Sequence, residues 1–398
     1  MELLSTILSV ISWVLLAYFG FAAFYFFIFA IASHFYKERR SKSNDKKMSV
    51  LVLIPSYKED SVILETSLAA YNHISTKAHI DIWVIADSLQ QQTVERIKQA
   101  GVNVLEVSFS KSTKAKSINK ALQTLSGSWS YIILLDADNV MADGFIDKLI
   151  DRLQAGFRIV QGHRTAKNSN TAFALLDGLS EEVNNSIFRK GHRVLGLSAS
   201  LIGSGFACEY HLFRILMLQN EAVGGFDKKL ELDLLKEKIR IGYAENAMVF
   251  DEKVQQGEAF VNQRRRWLSA QLVYFWRYAP SAAKQLFLYG NIDYVDKIYQ
   301  FITPPRIITV GFSFLLVVVN LTIMAFSGWT LTALNLAWLT AFVLSVGAIL
   351  LGIPAKLYTR GLWYAIITLP KVFLLMTLAL VKLRGANKRF IHTQHGIK

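Results

Sequence analysis

The chain has 398 residues, of which 52% are hydrophobic, and its formal net charge is +14. Its mean hydropathy of +0.30 is higher than soluble domains usually show, and the apolar residues are concentrated at the two ends. This composition predicts an integral membrane protein with one globular domain between its spans. A single cysteine, Cys208, excludes an intramolecular disulfide framework and a cysteine-built zinc cluster. Much of the basic excess lies beside apolar segments, where positive-inside bias and anionic lipid explain it, so we expect no nucleic-acid partner.

The N-terminal segment is nearly uninterrupted apolar sequence over residues 3–35, followed by the basic run at residues 37–40. Its length and the late position of its charges are wrong for a cleaved signal peptide. The segment is also short for two spans, so one membrane helix is predicted within residues 1–40. Basic residues after that helix place the following domain in the cytoplasm by the positive-inside rule.

Strand and helix patterns alternate from residue 48 onward. Strands are predicted at residues 49–54, 80–86, 102–107, 131–135 and 157–161, and helices at residues 59–71, 93–100, 114–125, 144–154, 171–193 and 228–238. This alternation predicts a doubly wound, mostly parallel α/β sheet. Ligands bind at the carboxyl ends of the strands in such a sheet, so we expect a nucleotide site there.

The fourth predicted strand ends in two carboxylates, Asp136 and Asp138, in a D-x-D pattern. Two close carboxylates repel each other, and a cation is needed to keep both ionised. Mg²⁺ or Mn²⁺ prefers oxygen ligands and can bridge such carboxylates to substrate phosphates. Alone, the pattern also fits a solvated acidic turn, but the neighbouring strand ends favour a metal site.

The first two strand ends carry groups that suit a nucleoside. Pro55, Tyr57 and Glu59 follow the first strand, and Asp87 ends the second. An aromatic ring can stack on a base, and a carboxylate can accept hydrogen bonds from uracil or ribose. Helix capping is the simpler explanation for Asp87 taken singly, whereas the set as a whole favours nucleotide binding.

Two lysines, Lys114 and Lys116, open the fourth predicted helix. The helix dipole and the ammonium groups would both favour phosphate at this position. A position on the solvated surface would also explain each lysine taken singly. The sequence does not show which of the two lysines would bind phosphate.

Small residues interrupt an apolar stretch at Gly203, Ser204 and Gly205. Glycine would let a second ligand approach the backbone closely. A tight turn between elements is an equally open explanation.

A basic and aromatic segment precedes the C-terminal apolar region and contains Gln263, Arg266 and Trp267. Such a composition beside a membrane is typical of an interfacial amphipathic helix. Three apolar segments of spanning length follow at residues 303–326, 331–353 and 362–383, the last interrupted by Pro370 and Lys371. A basic tail ends the chain.

Together these motifs resemble those of processive, membrane-integrated family 2 glycosyltransferases, akin to the cellulose, chitin and hyaluronan synthases. The resemblance covers roughly residues 48–267, and Q-x-x-R-W is its most specific motif. The matching positions are Pro55, Tyr57 and Glu59 for the opening motif, Asp87 for the uridine-binding aspartate, Lys114 or Lys116 for the diphosphate-side lysine, Asp136 and Asp138 for D-x-D, Gly203 to Gly205 for the acceptor-site glycines, and Gln263, Arg266 and Trp267 for Q-x-x-R-W. Ala86 stands where family members often have a second acidic residue. Phe390, Thr393 and His395 loosely resemble a C-terminal gating segment.

The resemblance implies a GT-A domain at residues 41–280, between the membrane helix at residues 1–40 and membrane or interfacial helices with a basic tail at residues 281–398. It implies inverting transfer from a UDP-sugar to a saccharide or lipid-linked acceptor, with Mg²⁺ or Mn²⁺ as cofactor. Polymerisation and export through the membrane helices would follow, at the inner (plasma) membrane. The implied roles are nucleotide binding by Pro55, Tyr57, Glu59, Asp87, Lys114, Lys116 and Asp136, acceptor binding by Gly203, Ser204, Gly205 and Trp267, and catalysis by Gln263, Arg266 and Trp267.

The general base needs separate treatment because the family's E-D pair is absent between Gly203 and Gln263. Asp227 lies where a glycine-rich turn enters a helix, and Asp233 lies in the middle of that helix. A carboxylate at the helix entry can project into a cleft, although helix capping is its plain alternative. The resemblance also implies Asp227, because counting back from Tyr243 by the offsets found in the related synthases reaches that residue. We expect Asp227 to be the base.

Two rival functions stay open. One is transfer of a single sugar to a lipid carrier by an enzyme of the same fold. The other is a transporter or channel whose cytoplasmic domain senses nucleotide. Transport pathways usually contain ionisable residues within the membrane spans, and here Lys371 is the main one, which disfavours this alternative. One span before the domain and three after it would put the basic tail outside, against the positive-inside rule. Either the last segment is re-entrant or interfacial, or the tail breaks that rule.

Overall fold

The computed structural model describes residues 2–38, 46–326 and 331–383. A single eight-stranded sheet forms the centre of the globular part. Its strands are β1 (Met48–Tyr57), β2 (Ala78–Asp87), β3 (Asn103–Val107), β4 (Tyr131–Leu134), β5 (Val140–Met141), β6 (Ile159–Ala166), β7 (Phe206–Glu209) and β8 (Ile241–Asp251). Their order across the sheet is β3-β2-β1-β4-β7-β6-β8-β5.

Fourteen α-helices surround and follow this sheet in the described part of the chain. They are α1 (Glu2–Ser33), α2 (Ile63–Tyr71), α3 (Gln91–Gln99), α4 (Lys114–Thr124), α5 (Phe145–Gln154), α6 (Ala172–Asn184), α7 (His192–Val194), α8 (Tyr210–Leu218), α9 (Phe226–Lys236), α10 (Gly257–Phe287), α11 (Ile292–Ile302), α12 (Arg306–Phe326), α13 (Ala333–Gly352) and α14 (Arg360–Val381). A π-helix (Asn185–Gly191) joins α6 to α7, and a short 3₁₀ helix (Ala355–Leu357) precedes α14.

The first half of the sheet is parallel, as the alternating pattern predicts. β1 pairs in parallel with β2 and β4, and β2 pairs in parallel with β3. Residues 50–54 of β1 are all buried, because helices cover the sheet on both faces. This arrangement brings the carboxyl ends of β1 and β4 side by side.

The second half makes the sheet mixed, although four of the seven strand pairings are parallel. β6 pairs in parallel with β8, whereas β7 runs antiparallel to both β4 and β6, and β5 runs antiparallel to β8. The chain reverses before β7 at Gly203 and Gly205, whose φ angles of +77° and +63° favour glycine. This turn places residues 200–205 at the carboxyl end of β4.

The predicted long helix at residues 171–193 consists of α6, the π-helix and α7. At Gly191 the π-helix packs directly against α1: a Cβ there would lie 2.1 Å from the Phe29 carbonyl oxygen. The His192 ring stacks on the Phe29 ring at a centroid distance of 3.8 Å. The apolar N-terminal helix is thus fixed against the globular part of the protein.

Within the described residues, four helices are long and apolar enough to span a membrane: Thr6–Ser33, Arg306–Phe326, Ala333–Gly352 and Gly361–Val381. α14 continues through Pro370, where the sequence predicts an interruption. The predicted domain boundary at residue 280 falls inside α10, which ends at Phe287. Most of the basic tail, with Phe390, Thr393 and His395, lies outside the described residues.

Candidate active site

A cavity of about 420 Å³ opens where β1 and β4 end, and α9, α10 and α11 complete its walls. This volume lies within the usual range of small-molecule sites. The cavity brings together most of the residues selected from the sequence: Pro55, Tyr57, Glu59, Lys114, Asp136, Asp138, Gly203, Asp227, Gln263, Arg266 and Trp267. Four others are absent from its lining: Asp87, Lys116, Ser204 and Gly205.

Asp136 follows β4 and forms an ion pair with Lys114, which lies in the first turn of α4. The Lys114 ammonium group also donates a hydrogen bond to the Gly203 carbonyl at 2.8 Å. Burial alone would raise the pKa of Asp136, but the Lys114 charge and hydrogen bond hold it below its ordinary value. Asp136 is therefore an ionised carboxylate at neutral pH.

Asp138 is only 6% exposed and is held by two hydrogen bonds. Its Oδ2 accepts from the Glu252 backbone N–H at 2.9 Å, and its Oδ1 accepts from Asn139 Nδ2 at 3.2 Å. Nearby, burial raises the pKa of Asp251 to about 6, although Lys253 and Arg164 oppose the shift and Asp138 adds to it. Asp138 is thus oriented by its neighbours at the cavity wall.

The residues at this wall fit a divalent ion that is bound together with a nucleotide. Within the described residues, no group of three or more His, Cys, Asp or Glu side chains is placed to hold a metal by itself. Mg²⁺ is commonly held by one or two carboxylates together with substrate phosphates. Asp136 and Asp138 supply that number of carboxylates, so diphosphate oxygens would have to complete the coordination shell.

Two of the predicted nucleotide residues lie behind or beside the cavity. The Asp87 carboxylate is buried and accepts hydrogen bonds from Ser88 and Ser112, each at 3.0 Å. Lys116 points to the surface and donates to the Lys111 carbonyl at 2.9 Å. The structure therefore places Lys114, and not Lys116, beside the D-x-D carboxylates, and contact of Asp87 with a nucleotide stays a prediction.

Of the three small residues selected as an acceptor site, only Gly203 lines the cavity. Gln161 Nε2 donates to the carbonyl oxygens of Ser204 and Gly205, at 3.0 and 3.1 Å. A Cβ on Gly205 would lie 2.6 Å from a methyl group of Val249. Gly205 is thus required by its close packing against the Val249 side chain of β8, and of the three small residues only Gly203 faces the ligand space.

The two aspartates of α9 have different surroundings. Asp227 lies in the first turn, lines the cavity, and is 3.5 Å from the position of a Cβ on Gly203. Asp233 forms an i,i+4 ion pair with Lys229 at 2.6 Å and does not line the cavity. Of the two aspartates, only Asp227 faces the cavity, and its role as the base stays a prediction.

Sequence reasoning missed a third carboxylate on the same helix, Glu231. Glu231 lies one turn after Asp227 and therefore on the same face of α9. It forms part of the cavity wall and is only 2% exposed. Glu231 pairs with Lys297 of α11 at 2.8 Å and accepts from the Leu201 N–H at 3.2 Å. Burial raises the pKa of Glu231, although Lys297 opposes the shift. The i,i+4 spacing from Asp227 was the available sequence signal.

The Q-x-x-R-W residues lie on one face of α10, as their i, i+3 and i+4 spacing requires. Gln263 Oε1 is buried and accepts no hydrogen bond from the described residues. Burial lowers the pKa of Arg266, and the charges of Asp136 and Asp227 oppose that shift. The Trp267 ring lies under the Arg264 guanidinium at 4.4 Å from its centroid. This face thus offers an amide, a cation and a ring to the cavity.

A buried charge cluster around Glu181 forms the wall nearest α6 and the π-helix. Glu181 pairs with Arg164 and with Arg189, each at 3.1 Å. Burial opposes the ionisation of Glu181, but the two guanidinium groups hold its pKa well below the ordinary value. This buried ion-pair cluster supports the cavity wall, and the sequence motifs do not include it.

Residues 47–270 match the sequence model described as "Glycosyltransferase like family 2". The match covers more than half of the chain, and the chain belongs to this family of glycosyltransferases. It is therefore an enzyme that transfers sugars. No curated protein matches the chain.

Solved structures resemble the whole chain or its globular part. A mannosyltransferase from Pyrobaculum calidifontis, in complex with GDP-mannose and Mn²⁺, is 15% identical with a TM-score of 0.50, over 94% of this chain and 98% of that one. Glucosyl-3-phosphoglycerate synthase from Mycobacterium tuberculosis, in complex with Mn²⁺, UDP-glucose and phosphoglyceric acid, is 15% identical with a TM-score of 0.40, over 56% of this chain and 78% of that one. At such identities the first similarity shows a shared GT-A-like fold.

Proposed function

We propose that this glycosyltransferase transfers a hexose from a UDP-sugar to a saccharide acceptor, with inversion, and repeats the transfer to build a polysaccharide. It would act at the inner (plasma) membrane with its catalytic domain in the cytoplasm. The observation that carries the proposal is the convergence of Lys114, the D-x-D carboxylates, Asp227 and Q-x-x-R-W on one cavity. The described part of the chain also carries four helices of spanning length, which would hold that cavity at the membrane.

The donor would lie across the ends of β1 and β4. Tyr57 and Glu59 at the β1 end supply a ring and a carboxylate for the nucleoside. Mg²⁺ or Mn²⁺ bound with Asp136 and Asp138 would offset the charge of the leaving diphosphate. Lys114 places its ammonium group at the same wall. Arg266 adds a second cation beside Asp136 and Asp227, where negative charge develops as the bond to the sugar breaks.

Inverting transfer needs a carboxylate that removes the acceptor hydroxyl proton as its oxygen attacks the anomeric carbon. The bond from that carbon to the diphosphate breaks in the same step. Asp227 is the proposed base because it faces the cavity beside Gly203 and Arg266. Glu231 is the second candidate, since burial raises its pKa toward the range in which a carboxylate accepts a proton readily.

A nucleotide-release assay tests the proposal. The full chain, purified into lipid nanodiscs with Mg²⁺ or Mn²⁺, is offered UDP-glucose, UDP-N-acetylglucosamine, UDP-glucuronate and UDP-galactose, with GDP-mannose as the alternative nucleotide. We expect release of UDP from one of the four, and loss of that release with a chelator or with Asp138→Asn. Release of GDP alone would refute the uridine assignment, and no release from any donor would refute the function.

Product size then separates the remaining alternative. Radioactive sugar in a large product that is not extracted into organic solvent supports polymerisation. Radioactive sugar in a product that is extracted and carries a single sugar supports transfer to a lipid carrier. The chain belongs to a family of sugar-transferring enzymes. This membership favours an enzyme over the nucleotide-sensing transporter that the sequence alone left open.

A further inference from the structure

Three consecutive arginines in the Q-x-x-R-W segment have different surroundings. Arg266 lines the cavity, whereas Arg264 and Arg265 do not. Arg265 Nε donates to the Lys382 carbonyl at 2.9 Å, just after α14 ends. Arg264 instead contacts Trp267 and α6. The two arginines at the x positions of the motif therefore have separate partners, which the sequence does not distinguish.

Arg264 connects α10 to α6. Its guanidinium forms an ion pair with the Asp177 carboxylate, and the two side chains are only 12% and 8% exposed. One turn earlier on each helix, the rings of Phe173 and Phe260 lie 6.2 Å apart, centroid to centroid. The i, i+4 spacing puts Phe260 and Arg264 on one side of α10, and Phe173 and Asp177 on one side of α6. The guanidinium is thus anchored to a second helix.

The same guanidinium contacts two aromatic rings of its own helix. Its central carbon is 4.4 Å from the Trp267 ring centroid and 5.0 Å from the Phe260 ring centroid. A cation over an aromatic face is attracted by the electrons of the ring, most strongly where water is excluded. Arg264 Nε is buried and donates to no group among the described residues. The rings and the pair with Asp177, rather than a full set of hydrogen bonds, therefore determine where the guanidinium lies.

This contact covers one face of the Trp267 ring. Trp267 lines the cavity and Arg264 does not, so the guanidinium covers the indole from outside the cavity. The ring meets the cavity space with its other face and its edges. A side chain that is held in place by its neighbours needs little ordering when a ligand binds, and this favours affinity. Without the guanidinium, the ring would be free to turn into the space behind it.

We propose that Arg264 is a positioning residue that holds the Trp267 ring in place for the acceptor, and that Asp177 anchors Arg264. This inference rests on the proposed function, since it assumes that Trp267 meets the acceptor of the same site. Arg264 touches no substrate and acts through the orientation of the ring. Its loss therefore weakens acceptor binding and leaves donor binding unchanged.

The first measurement observes the ring directly and needs no turnover. The full chain in nanodiscs is labelled with 5-fluorotryptophan, and Trp267→Phe identifies the fluorine NMR signal of Trp267 among those of the eight tryptophans. Arg264→Gln should broaden or split that signal, because the ring then adopts more than one orientation. Arg265→Gln is the matched control and should leave the signal as it is. A signal that Arg264→Gln leaves unchanged, or that both variants change equally, would overturn the inference.

The second measurement separates positioning from packing. Donor KM and acceptor KM are measured by nucleotide release and sugar transfer, with the octyl β-glycoside that wild type uses best as the acceptor probe. We expect Arg264→Gln to raise the acceptor KM about tenfold, an effect within reach of a desolvated cation–π contact, and to leave the donor KM unchanged. Arg265→Gln should change neither. In the Trp267→Phe background, Arg264→Gln should raise the acceptor KM by less, because effects that pass through one contact are not additive.

If Arg264 only packs α10 against α6, Arg264→Gln lowers the Tm but leaves the acceptor KM unchanged, and the inference fails. Should Arg264→Gln not yield folded protein, Asp177→Asn carries the same expectation with a smaller effect, since the asparagine oxygen still accepts from Arg264. A wild type that releases no nucleotide, or that releases it without transfer to any glycoside, would overturn the proposed function. The fluorine signals would then still decide whether Arg264 positions the ring.

Discussion

The Lys114 ammonium group is paired with the Asp136 carboxylate and donates at the same time to the Gly203 carbonyl, at 2.8 Å. Three separate parts of the chain thus meet at one atom: α4, the end of β4, and the turn before β7. The pair keeps Asp136 ionised in a partly enclosed site. In the proposed donor complex, the ammonium group would gain the phosphate as a further partner, and the carboxylate would gain the metal ion.

Lys114 is therefore expected to be essential and Lys116 dispensable. Lys114→Met removes a cation beside the leaving group, for which a loss of roughly 100-fold or more in kcat is typical of such electrostatic contacts. Lys116→Met is the matched control, because its ammonium group bonds to the Lys111 carbonyl outside the cavity. The measurement is nucleotide release at saturating donor. Equal activity of the two variants would contradict this assignment.

The carboxylates of α9 make separable predictions about the base. We expect Asp227→Asn to lose at least about 100-fold in kcat while donor binding stays within a few-fold, since a general base contributes on this order. Asp233→Asn should keep most activity, because Asp233 pairs with Lys229 away from the cavity. Kinetics of transfer and equilibrium nucleotide binding are measured on each variant.

Glu231→Gln completes that comparison. If Glu231 is the base, this variant loses turnover and Asp227→Asn retains it. The pH dependence gives an independent reading: Lys297 lowers the pKa of Glu231, so removing it in Lys297→Met raises that pKa further. A base must be ionised, so the acid limb of the kcat profile would then move to higher pH. An unmoved limb leaves Asp227 as the base.

Trp267 is expected to act as a platform for the acceptor. Trp267→Ala should abolish transfer while nucleotide affinity stays within a few-fold, because the ring lines the cavity on the same face as Arg266. Trp276→Ala is the matched control: Trp276 lies on the same helix but is 73% exposed. If Trp267 were only an interfacial anchor, Trp267→Ala would give less folded protein, but each folded molecule would turn over normally. Normal turnover per molecule is also what we expect of Trp276→Ala.

The parallel half of the sheet and the D-x-D site were predictable because they depend on local patterns. β1, β2 and β4 are buried apolar runs, and each ends where the polar residues begin. β7 was not predicted as a strand, since it has only four residues and follows two glycines. Its antiparallel pairing depends on the reversal at Gly203 and Gly205, and no periodic pattern in the sequence marks that reversal.

The motifs of the site could be predicted from the sequence, but the residues that form ion pairs with its carboxylates could not. Glu231 stands among leucines on a helix, and its cavity role depends on Lys297, which belongs to another helix far along the chain. Glu181 likewise requires Arg164 from β6 and Arg189 from the π-helix. Lys114 and Lys116 look equivalent in sequence, and only the direction of α4 against β4 distinguishes them.

The Glu181 cluster makes a prediction about stability and pH. Glu181→Gln removes the carboxylate that two buried guanidinium groups share, and breaking a buried pair typically costs about 3–5 kcal/mol. The pKa of Glu181 is lower in the folded protein than the ordinary 4.5. Its stabilisation is therefore fully present above about pH 4.5–5 and is lost as the pH falls toward the folded-state value.

Thermal unfolding in detergent at a series of pH values measures this effect. We expect a lower Tm for Glu181→Gln at pH 7, and a difference from wild type that shrinks as the pH falls below about 4.5. Glu65→Gln is the matched control, because Glu65 pairs with Lys167 at 2.6 Å but its side chain is 65% exposed. Such a surface pair is worth at most about 1 kcal/mol, so its variant should unfold close to wild type. A Glu181→Gln protein as stable as Glu65→Gln at pH 7 would show that the cluster does not hold the cavity wall in place.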